Sequence, residues 1–233
     1  MIRILKNIIR GGGEVIFPNI CLICGFSLSR SENVICMLCL SSEFEKCSLK
    51  PDSEQQMVLP ESVLFQYSMW KFDKGGHLQM LLHKLKYDRL TGIGIDTGRM
   101  LGSQLMKHSC IMNSSHEVLL IPVPLHEARY KIRGYNQSFL IAAGISEVTG
   151  WDIAARYVVQ RQNNTKTQTG FDLNRRIKNI TDAFRVSEPD KLRDRLCIIV
   201  DDVFTTGTTT FELASCIFNE CGVKCGIVSI AKA

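Results

Sequence analysis

The sequence predicts an α/β protein with a twisted, mostly parallel sheet flanked by helices and a small four-cysteine module towards its amino terminus. Three features of the 233-residue chain predict this class. From Val63 onward, apolar and β-branched runs alternate with helical patterns, which is typical of strand–helix–strand units. An apolar run at 196–200 leads into two aspartates and a threonine-rich loop, and two C-x-x-C pairs lie within the first 45 residues.

The segment between 63 and 124 contains two predicted strands and two predicted helices. The run VLFQYSMW at 63–70 is rich in the aromatic and β-branched residues that favour strands. Asp73 can cap a helix whose apolar face is formed by leucines. These leucines are Leu78, Leu81, Leu82 and Leu85. A second helix is predicted at about 96–108, and EVLLIPVP at 117–124 is an apolar strand that its prolines end.

The rest of the chain continues the alternation of helices and strands. A helix is predicted from Gln137 to Thr149, ended by Gly150, and a buried strand at 196–200. The last helix, at 208–221, should turn five residues inward. These are Phe211, Ala214, Ile217, Phe218 and Cys221. A final strand at 224–230 completes the pattern, which implies right-handed crossovers and a parallel sheet.

The chain divides into three regions of different composition. Residues 1–45 are predicted to form an amino-terminal helix and the cysteine module, 46–62 a polar linker, and 63–233 the main domain. Apolar residues at helical spacing begin the chain, interrupted by basic ones. They are Ile2, Leu5, Ile8 and Ile9. This spacing favours a packing helix over a membrane-surface or targeting segment.

Composition narrows the classes of function. Hydrophobic residues make up 45% of the chain, which argues against global disorder, and no apolar run approaches the roughly 20 residues that span a bilayer. The formal net charge of +5 suits a phosphorylated ligand or nucleic acid. The chain lacks the continuous apolar run of a secretory signal, so we expect a reducing, cytoplasmic compartment. In such a compartment cysteines are expected to bind metal rather than form disulfides.

Four cysteines have the spacing of metal ligands. Cys21 and Cys24 form one C-x-x-C pair, and Cys36 and Cys39 form another. Two such pairs can present four thiolates to one tetrahedral Zn²⁺, which leaves no open position and therefore indicates a structural metal. Chance clustering, an iron–sulfur centre and a zinc ribbon that contacts nucleic acid are the alternatives. The other cysteines lack ligand spacing and are expected to be core or surface thiols.

The stretch at 196–210 has the chemistry of a ribose 5-phosphate site. Ligands of open α/β sheets bind at the carboxyl ends of strands, where Asp201 and Asp202 can hold sugar hydroxyls directly or through a divalent metal. The amides and hydroxyls of the following loop can bind a phosphate, and Gly207 permits a close approach. The threonines of this loop are Thr205, Thr206, Thr208 and Thr209. The alternative is an aspartate-rich turn with threonine caps.

Several motifs together carry a resemblance to a known family. The stretch at 200–210 resembles the phosphoribosyl-diphosphate (PRPP) motif of type I phosphoribosyltransferases, and the chain as a whole is identified as a member of the ComF family. The motifs are the C-x-x-C pairs, LHKLKY at 82–87, IPVPLHEARYKIRGYNQS at 121–138, QTGFDLNRRIKNITDAF at 168–184 and VDDVFTTGTTT at 200–210. The resemblance implies a type I phosphoribosyltransferase-like sheet, binding of PRPP with Mg²⁺, catalytic roles for Asp201 and Asp202, and an association with bacterial competence.

The resemblance also suggests where the diphosphate binds. The basic stretch after the strand at 117–124 is the counterpart of the diphosphate loop, and its proposed ligands are Arg129, Lys131, Arg133 and Gly134. A solvated basic loop, or a single-stranded DNA contact in which Tyr130 and Tyr135 stack on bases, are the alternatives. Further candidates for the substrate or diphosphate are Lys84, Lys86, Arg175 and Arg176. They could equally be surface charges on basic helix faces, and the segment at 168–184 could form a hood over the site.

One position narrows the range of acceptor substrates. Phosphoribosyltransferases for 6-oxopurines carry an acid two residues before the motif glycine, where this chain has Thr205, so a hypoxanthine- or guanine-type enzyme is disfavoured. We see no terminal cysteine nucleophile in the sequence, so we do not expect a glutamine-hydrolysing domain. Two hypotheses therefore remain: an enzyme that transfers phosphoribosyl to an unidentified acceptor, or a non-catalytic adapter that binds PRPP or single-stranded DNA and works with a competence helicase.

Overall fold

The computed structural model describes residues 19–47, 58–162 and 183–233. The strands are β1 (Val63–Lys71), β2 (Glu117–Pro122), β3 (Asp152–Ile153), β4 (Val159–Arg161), β5 (Phe184–Val186), β6 (Arg195–Phe204) and β7 (Cys225–Lys232). Five of them form one sheet in the order β1-β7-β6-β2-β3, in which every neighbouring pair is parallel. The strands β4 and β5 form a separate antiparallel ribbon. The predicted α/β class with a mostly parallel sheet is confirmed.

Helices cover both faces of the sheet. They are α1 (Met37–Ser42), α2 (His77–Tyr87), α3 (Gly92–Leu105), α4 (Ser109–Met112), α5 (Glu127–Arg133), α6 (Gln137–Thr149) and α7 (Thr208–Cys221). A short 3-10 turn at Pro189–Lys191 precedes β6. No described helix is long and apolar enough to cross a membrane.

Alternate residues of β6 point into two separate cores. Leu196, Ile198 and Val200 belong to one core, which also contains apolar residues of α2, α3, α6 and the cysteine module. Cys197 and Ile199 belong to the other, which is covered by α7 and the β4–β5 ribbon. Because both faces are buried, β6 appears in the sequence as a continuous apolar run without alternation.

The helices α3 and α6 pack backbone against backbone. A Cβ atom on Gly98 would overlap the carbonyl oxygen of Ile141, and one on Gly144 would overlap that of Ile95. Only glycine fits at these two positions, so the pair fixes the depth at which α6 lies on the sheet. That depth matters because α6 begins at the carboxyl edge, where the predicted site lies.

Most predicted boundaries are close to the observed ones. The helix Gln137–Thr149 is confirmed, and Gly150 ends it with a positive φ of 74°. The strand β6 continues to Phe204, so both aspartates lie within the strand and not after it. In α7 the prediction missed Leu213, which is fully buried, whereas Phe218 and Cys221 are only partly buried. The predicted amino-terminal helix lies outside the described residues.

The cysteine module packs directly on the sheet. Lys46 pairs with Trp70 of the edge strand β1 in an antiparallel bridge, so the beginning of the predicted linker extends the sheet. Phe44 packs on Trp70 with ring centroids 4.6 Å apart. Buried residues of the module, including Ile35 and Leu40, belong to the same core as α2 and α3. The module and the main domain therefore share one hydrophobic core.

Candidate functional site

An acid pair lies near the carboxyl end of β6. The Asp202 side chain is only 8% exposed and forms an ion pair with Lys86 of α2. The Asp201 carboxylate accepts hydrogen bonds from the hydroxyl of Ser138, at 3.1 Å, and from the backbone N–H of Asp202, at 2.9 Å. Residues from α2, α6 and β6 thus meet at one edge of the sheet.

The two acids have different electrostatic surroundings. Desolvation, and then the neighbouring Asp202 carboxylate, raise the pKa of Asp201 to about 7, although Ser138 and a backbone amide favour its ionised form. Lys86 neutralises Asp202 directly. The pair can therefore carry little net charge at neutral pH, which suits hydrogen bonding to vicinal hydroxyls.

The arginine predicted to bind diphosphate closes a ring of contacts around this acid pair. Arg133 donates to the carboxamide oxygen of Gln137 at 2.9 Å, and its guanidinium lies 5.3 Å from the ring centroid of Tyr87. Gln137 precedes Ser138, and Tyr87 follows Lys86. The contacts therefore run from Arg133 through α6 to Asp201, and from Asp202 through α2 back to Arg133.

The threonine loop follows β6 and opens α7. Gly207 has a φ of 77° and stands at the N-cap without a side chain to cap the helix, and the backbone N–H of Thr208 donates to the Thr206 hydroxyl at 3.4 Å. A Cβ atom on Gly207 would overlap the rings of Phe204 and Phe211, so this position requires glycine for its conformation and for space. The hydroxyls of Thr206 and Thr208 lie 2.8 Å apart. The arrangement leaves the first turn of a 14-residue helix open to an anion.

The predicted diphosphate ligands do not lie on a loop. They belong to α5, and Gly134 ends this helix with a φ of 82°, so the loop interpretation is wrong. The periodicity of a seven-residue helix is too brief to distinguish from a basic loop. Lys131 pairs with Glu127 at 3.0 Å, Arg133 turns towards α6, and Arg129 is exposed. The helix therefore separates these cations.

The two remaining candidate lysines do not lie together either. Lys84 pairs with Asp88 at 3.3 Å on the exposed side of α2, whereas Lys86 reaches the acid pair. Arg175 and Arg176, and nearly all of the proposed hood segment, lie outside the described residues.

The four predicted cysteine ligands converge. The sulfur atoms of Cys21, Cys24, Cys36 and Cys39 all lie within 4.8 Å of one another. Backbone N–H groups of Ile23 and Cys36 point at the sulfur of Cys21 at 3.5 and 3.4 Å. Burial opposes ionisation, but backbone donors to this sulfur lower the pKa of Cys21 to about 6. The geometry and the amide donors fit a four-thiolate zinc site.

Sequence reasoning missed the residues that support the predicted ones. Ser138 and Gln137 occur within the motif at 121–138, but nothing in their spacing indicates that they contact β6 or Arg133. Asp96 is a further case: its buried carboxylate accepts from the backbone N–H groups of three consecutive residues between the two C-x-x-C pairs. These residues are Asn33, Val34 and Ile35. No local pattern predicts a contact across more than 60 residues.

The fold and the edge of β6 define a class of protein. They are those of an open α/β protein with an acid pair and a glycine-containing threonine turn at the carboxyl edge of its parallel sheet, where such proteins bind their ligands.

Comparisons with known proteins point to one family. DNA utilization protein YhgH of Escherichia coli strain K12 is 29% identical over 208 residues, which cover 84% of this chain and 89% of that protein. Its Salmonella typhimurium counterpart of the same name is 28% identical over the same extent. Competence protein F of Haemophilus influenzae is 35% identical over 108 residues, 45% of each chain. No family model matches the chain. These similarities support assignment of the chain to the competence protein F, or ComF, family, which its motifs predicted.

Proposed function

We propose that the chain binds PRPP together with Mg²⁺ at the carboxyl edge of β6 and transfers the phosphoribosyl group to an acceptor. The observation that carries the proposal is the ring of contacts that holds Asp201 and Asp202, with five residues between Asp202 and the first turn of α7. Acceptors for hydroxyls at Asp202 and a donor for a phosphate at Thr206 are separated by three residues of sequence, which suits the two ends of a ribose 5-phosphate.

Each part of the site has a role in this proposal. The amides of α7 and the hydroxyl of Thr206 bind the 5-phosphate, and Asp201 and Asp202 accept hydrogen bonds from the ribose hydroxyls. Lys86 contacts Asp202, and Arg133 contacts Gln137 beside Ser138, so these two cations are our candidates to stabilise the departing diphosphate. Carboxylate and phosphate oxygens are the donors that Mg²⁺ prefers, and when bound it would neutralise charge on the diphosphate.

The cysteine cluster completes the proposal as a structural zinc site. Four thiolates fill a tetrahedral shell, so the metal would have no open position for chemistry. Its role is to hold the segment that packs on β1 and α3.

Calorimetric titration with PRPP in the presence of Mg²⁺ tests the binding step. We expect saturable binding, weakened about tenfold in Thr206→Ala because one hydrogen bond to a charged phosphate is lost. Thr91→Ala, which removes an exposed hydroxyl elsewhere, is the matched control and should bind like the unaltered protein. Absence of saturable binding at millimolar PRPP would contradict the proposal.

Release of diphosphate separates an enzyme from a binding protein. With a panel of nitrogenous acceptors, release that depends on one acceptor supports transfer, because the acceptor must displace diphosphate at the anomeric carbon. PRPP binding without release on any acceptor supports a non-catalytic role.

The second candidate is a DNA-binding adapter that works with a helicase. It is favoured by the names of the relatives, which concern DNA utilization and competence, and by exposed cations on α5. Arg129→Ala combined with Lys131→Ala should weaken salt-sensitive binding to single-stranded oligonucleotides. Arg133 is unsuitable for this test because it is buried and bonded to Gln137. Unchanged DNA affinity in the double variant contradicts a DNA surface on α5.

A further inference from the structure

A cavity of about 550 Å³ lies at the carboxyl ends of β2 and β3, beside the acid pair and separate from it. Its walls are mainly apolar and aromatic, and include Leu125, Tyr130, Phe139 and Leu140. None of its lining residues belongs to the acid pair or the threonine loop. This volume falls within the range of about 300–1,000 Å³ that small-molecule sites occupy.

Two arginines bring positive charge to the cavity. The guanidinium of Arg156 lies 4.2 Å from the ring centroid of Tyr130, and that of Arg161 lies 5.5 Å from the ring centroid of Phe184. No described carboxylate pairs with either arginine. Glu127 also lines the cavity, but it pairs with Lys131 at 3.0 Å. Guanidinium groups that lie on aromatic rings and have no carboxylate partner among the described residues are suited to bidentate binding of a phosphate or carboxylate.

The cavity is coupled to the acid pair through the start of α6. Asn136 lines the cavity, donates to the carbonyl of Val123 at 2.9 Å, and accepts from the backbone N–H of Ser138 at 3.0 Å. Ser138 in turn donates to Asp201. A ligand in the cavity therefore contacts the residue that orients the donor to the acid pair.

We propose that this cavity is a second ligand site, which takes a free nucleoside monophosphate. The base lies against Tyr130 and Phe139, and the phosphate is bound by Arg156 and Arg161. PRPP is a poor match for the cavity because it has no aromatic or apolar part to cover these walls. A nucleoside monophosphate supplies both an aromatic ring and a compact dianion, and each complements one part of the lining.

Titration of the full chain with adenosine 5′-monophosphate and uridine 5′-monophosphate tests the site. We expect saturable binding of at least one of them, weakened by about tenfold or more in Arg156→Gln, which loses a charged phosphate contact. Ala155→Trp should also weaken binding, because it places a bulky ring into the cavity from an exposed position. Arg193→Gln, which alters an exposed arginine paired with Asp190, is the matched control and should bind normally.

The outcomes separate this site from the proposed PRPP site. Thr206→Ala should keep nucleotide binding, and Arg156→Gln should keep PRPP binding, so either site can fail alone. The parent nucleosides and inorganic phosphate should each bind much more weakly than the nucleotide. Equal binding of nucleotide by Arg156→Gln, Ala155→Trp and the unaltered chain overturns the proposal, as does absence of saturable nucleotide binding at millimolar concentration. Binding of a single-stranded oligonucleotide at this cavity without binding of either mononucleotide also overturns it.

Discussion

At the residue scale, two lysines of α2 show what the sequence of a single helix can and cannot predict about its contacts. Lys84 and Lys86 flank the buried leucine face of α2 on opposite sides, since residues on an α-helix are separated by about 100°. Their spacing therefore indicates that the two lysines do not share a face of the helix. Which flank meets the acid pair depends on where α2 lies relative to β6, and only the tertiary structure shows that it is Lys86.

Asp201 gives a prediction that depends on pH. Its pKa is raised from 3.8 to about 7 by desolvation and by Asp202, with the Lys86 ammonium held by Asp202 and the Ser138 hydroxyl as its other polar neighbour. Between these pKa values the folded state binds more protons than the unfolded state, so this group lowers the free energy of unfolding as pH rises. Asp201→Asn removes this cost and should stabilise the protein by roughly 1–3 kcal/mol near pH 8.

Urea unfolding at two pH values checks this prediction. Near pH 4 the native carboxyl group is already protonated, so the Asn variant should have little advantage there. Asp190→Asn changes an exposed acid and should show no comparable dependence. A gain in stability that is the same at both pH values would mean that the variant acts through packing and not through ionisation.

At the element scale, Asp96 of α3 connects two segments that the sequence divides. Its buried carboxylate binds the backbone of the loop between the two C-x-x-C pairs, and Arg99 one turn later pairs with it at 3.2 Å. The longer helices of the main domain were predictable from their apolar period, and β6 from its continuous apolar run. The contact of Asp96 with the loop was not predictable. It joins a single aspartate of a helix to backbone N–H groups, and no pattern of side chains indicates the partner of a backbone N–H group.

Asp96→Ala should loosen the cysteine module. Three backbone donors lose their acceptor, and unsatisfied buried groups cost about 1–3 kcal/mol each, so the free energy of unfolding should fall by a few kcal/mol. A chelator should then remove zinc from the folded variant faster, as followed with a colorimetric zinc indicator. Asp88→Ala, on the exposed end of α2, should leave both properties near those of the unaltered protein. Unchanged zinc release in Asp96→Ala would show that the loop holds its shape without α3.

At the scale of the whole molecule, the order of strands was beyond sequence reasoning. Alternating strands and helices predicted a parallel sheet, but not that β1, early in the chain, pairs with β7 at its end. Pairing of distant strands depends on which faces the helices cover, a property of the complete core. The short strands β3, β4 and β5 were missed because two or three residues carry no recognisable period.

This arrangement links the cysteine module to the proposed ligand site. The loop of the module is held by α3, α3 packs on α6 through Gly98 and Gly144, and α6 begins with the residues that bind Asp201 and Arg133. The side chains of Asp96, Ser138 and Arg133 on this path are buried, and packed contacts transmit displacement because protein interiors are nearly incompressible. Loss of the module's structure should therefore change the position of the start of α6.

Removal of zinc should consequently weaken PRPP binding, although no cysteine ligand belongs to the ligand site. Cys36→Ser combined with Cys39→Ser should retain less than about one zinc per chain, lower the midpoint of thermal unfolding and reduce affinity for PRPP. Cys110→Ser, at an exposed cysteine outside the cluster, is the control and should keep zinc, stability and affinity. If the double variant loses zinc but unfolds and binds PRPP as before, the module is energetically independent of the sheet. If the double variant keeps its full zinc content, the four-cysteine assignment itself is wrong.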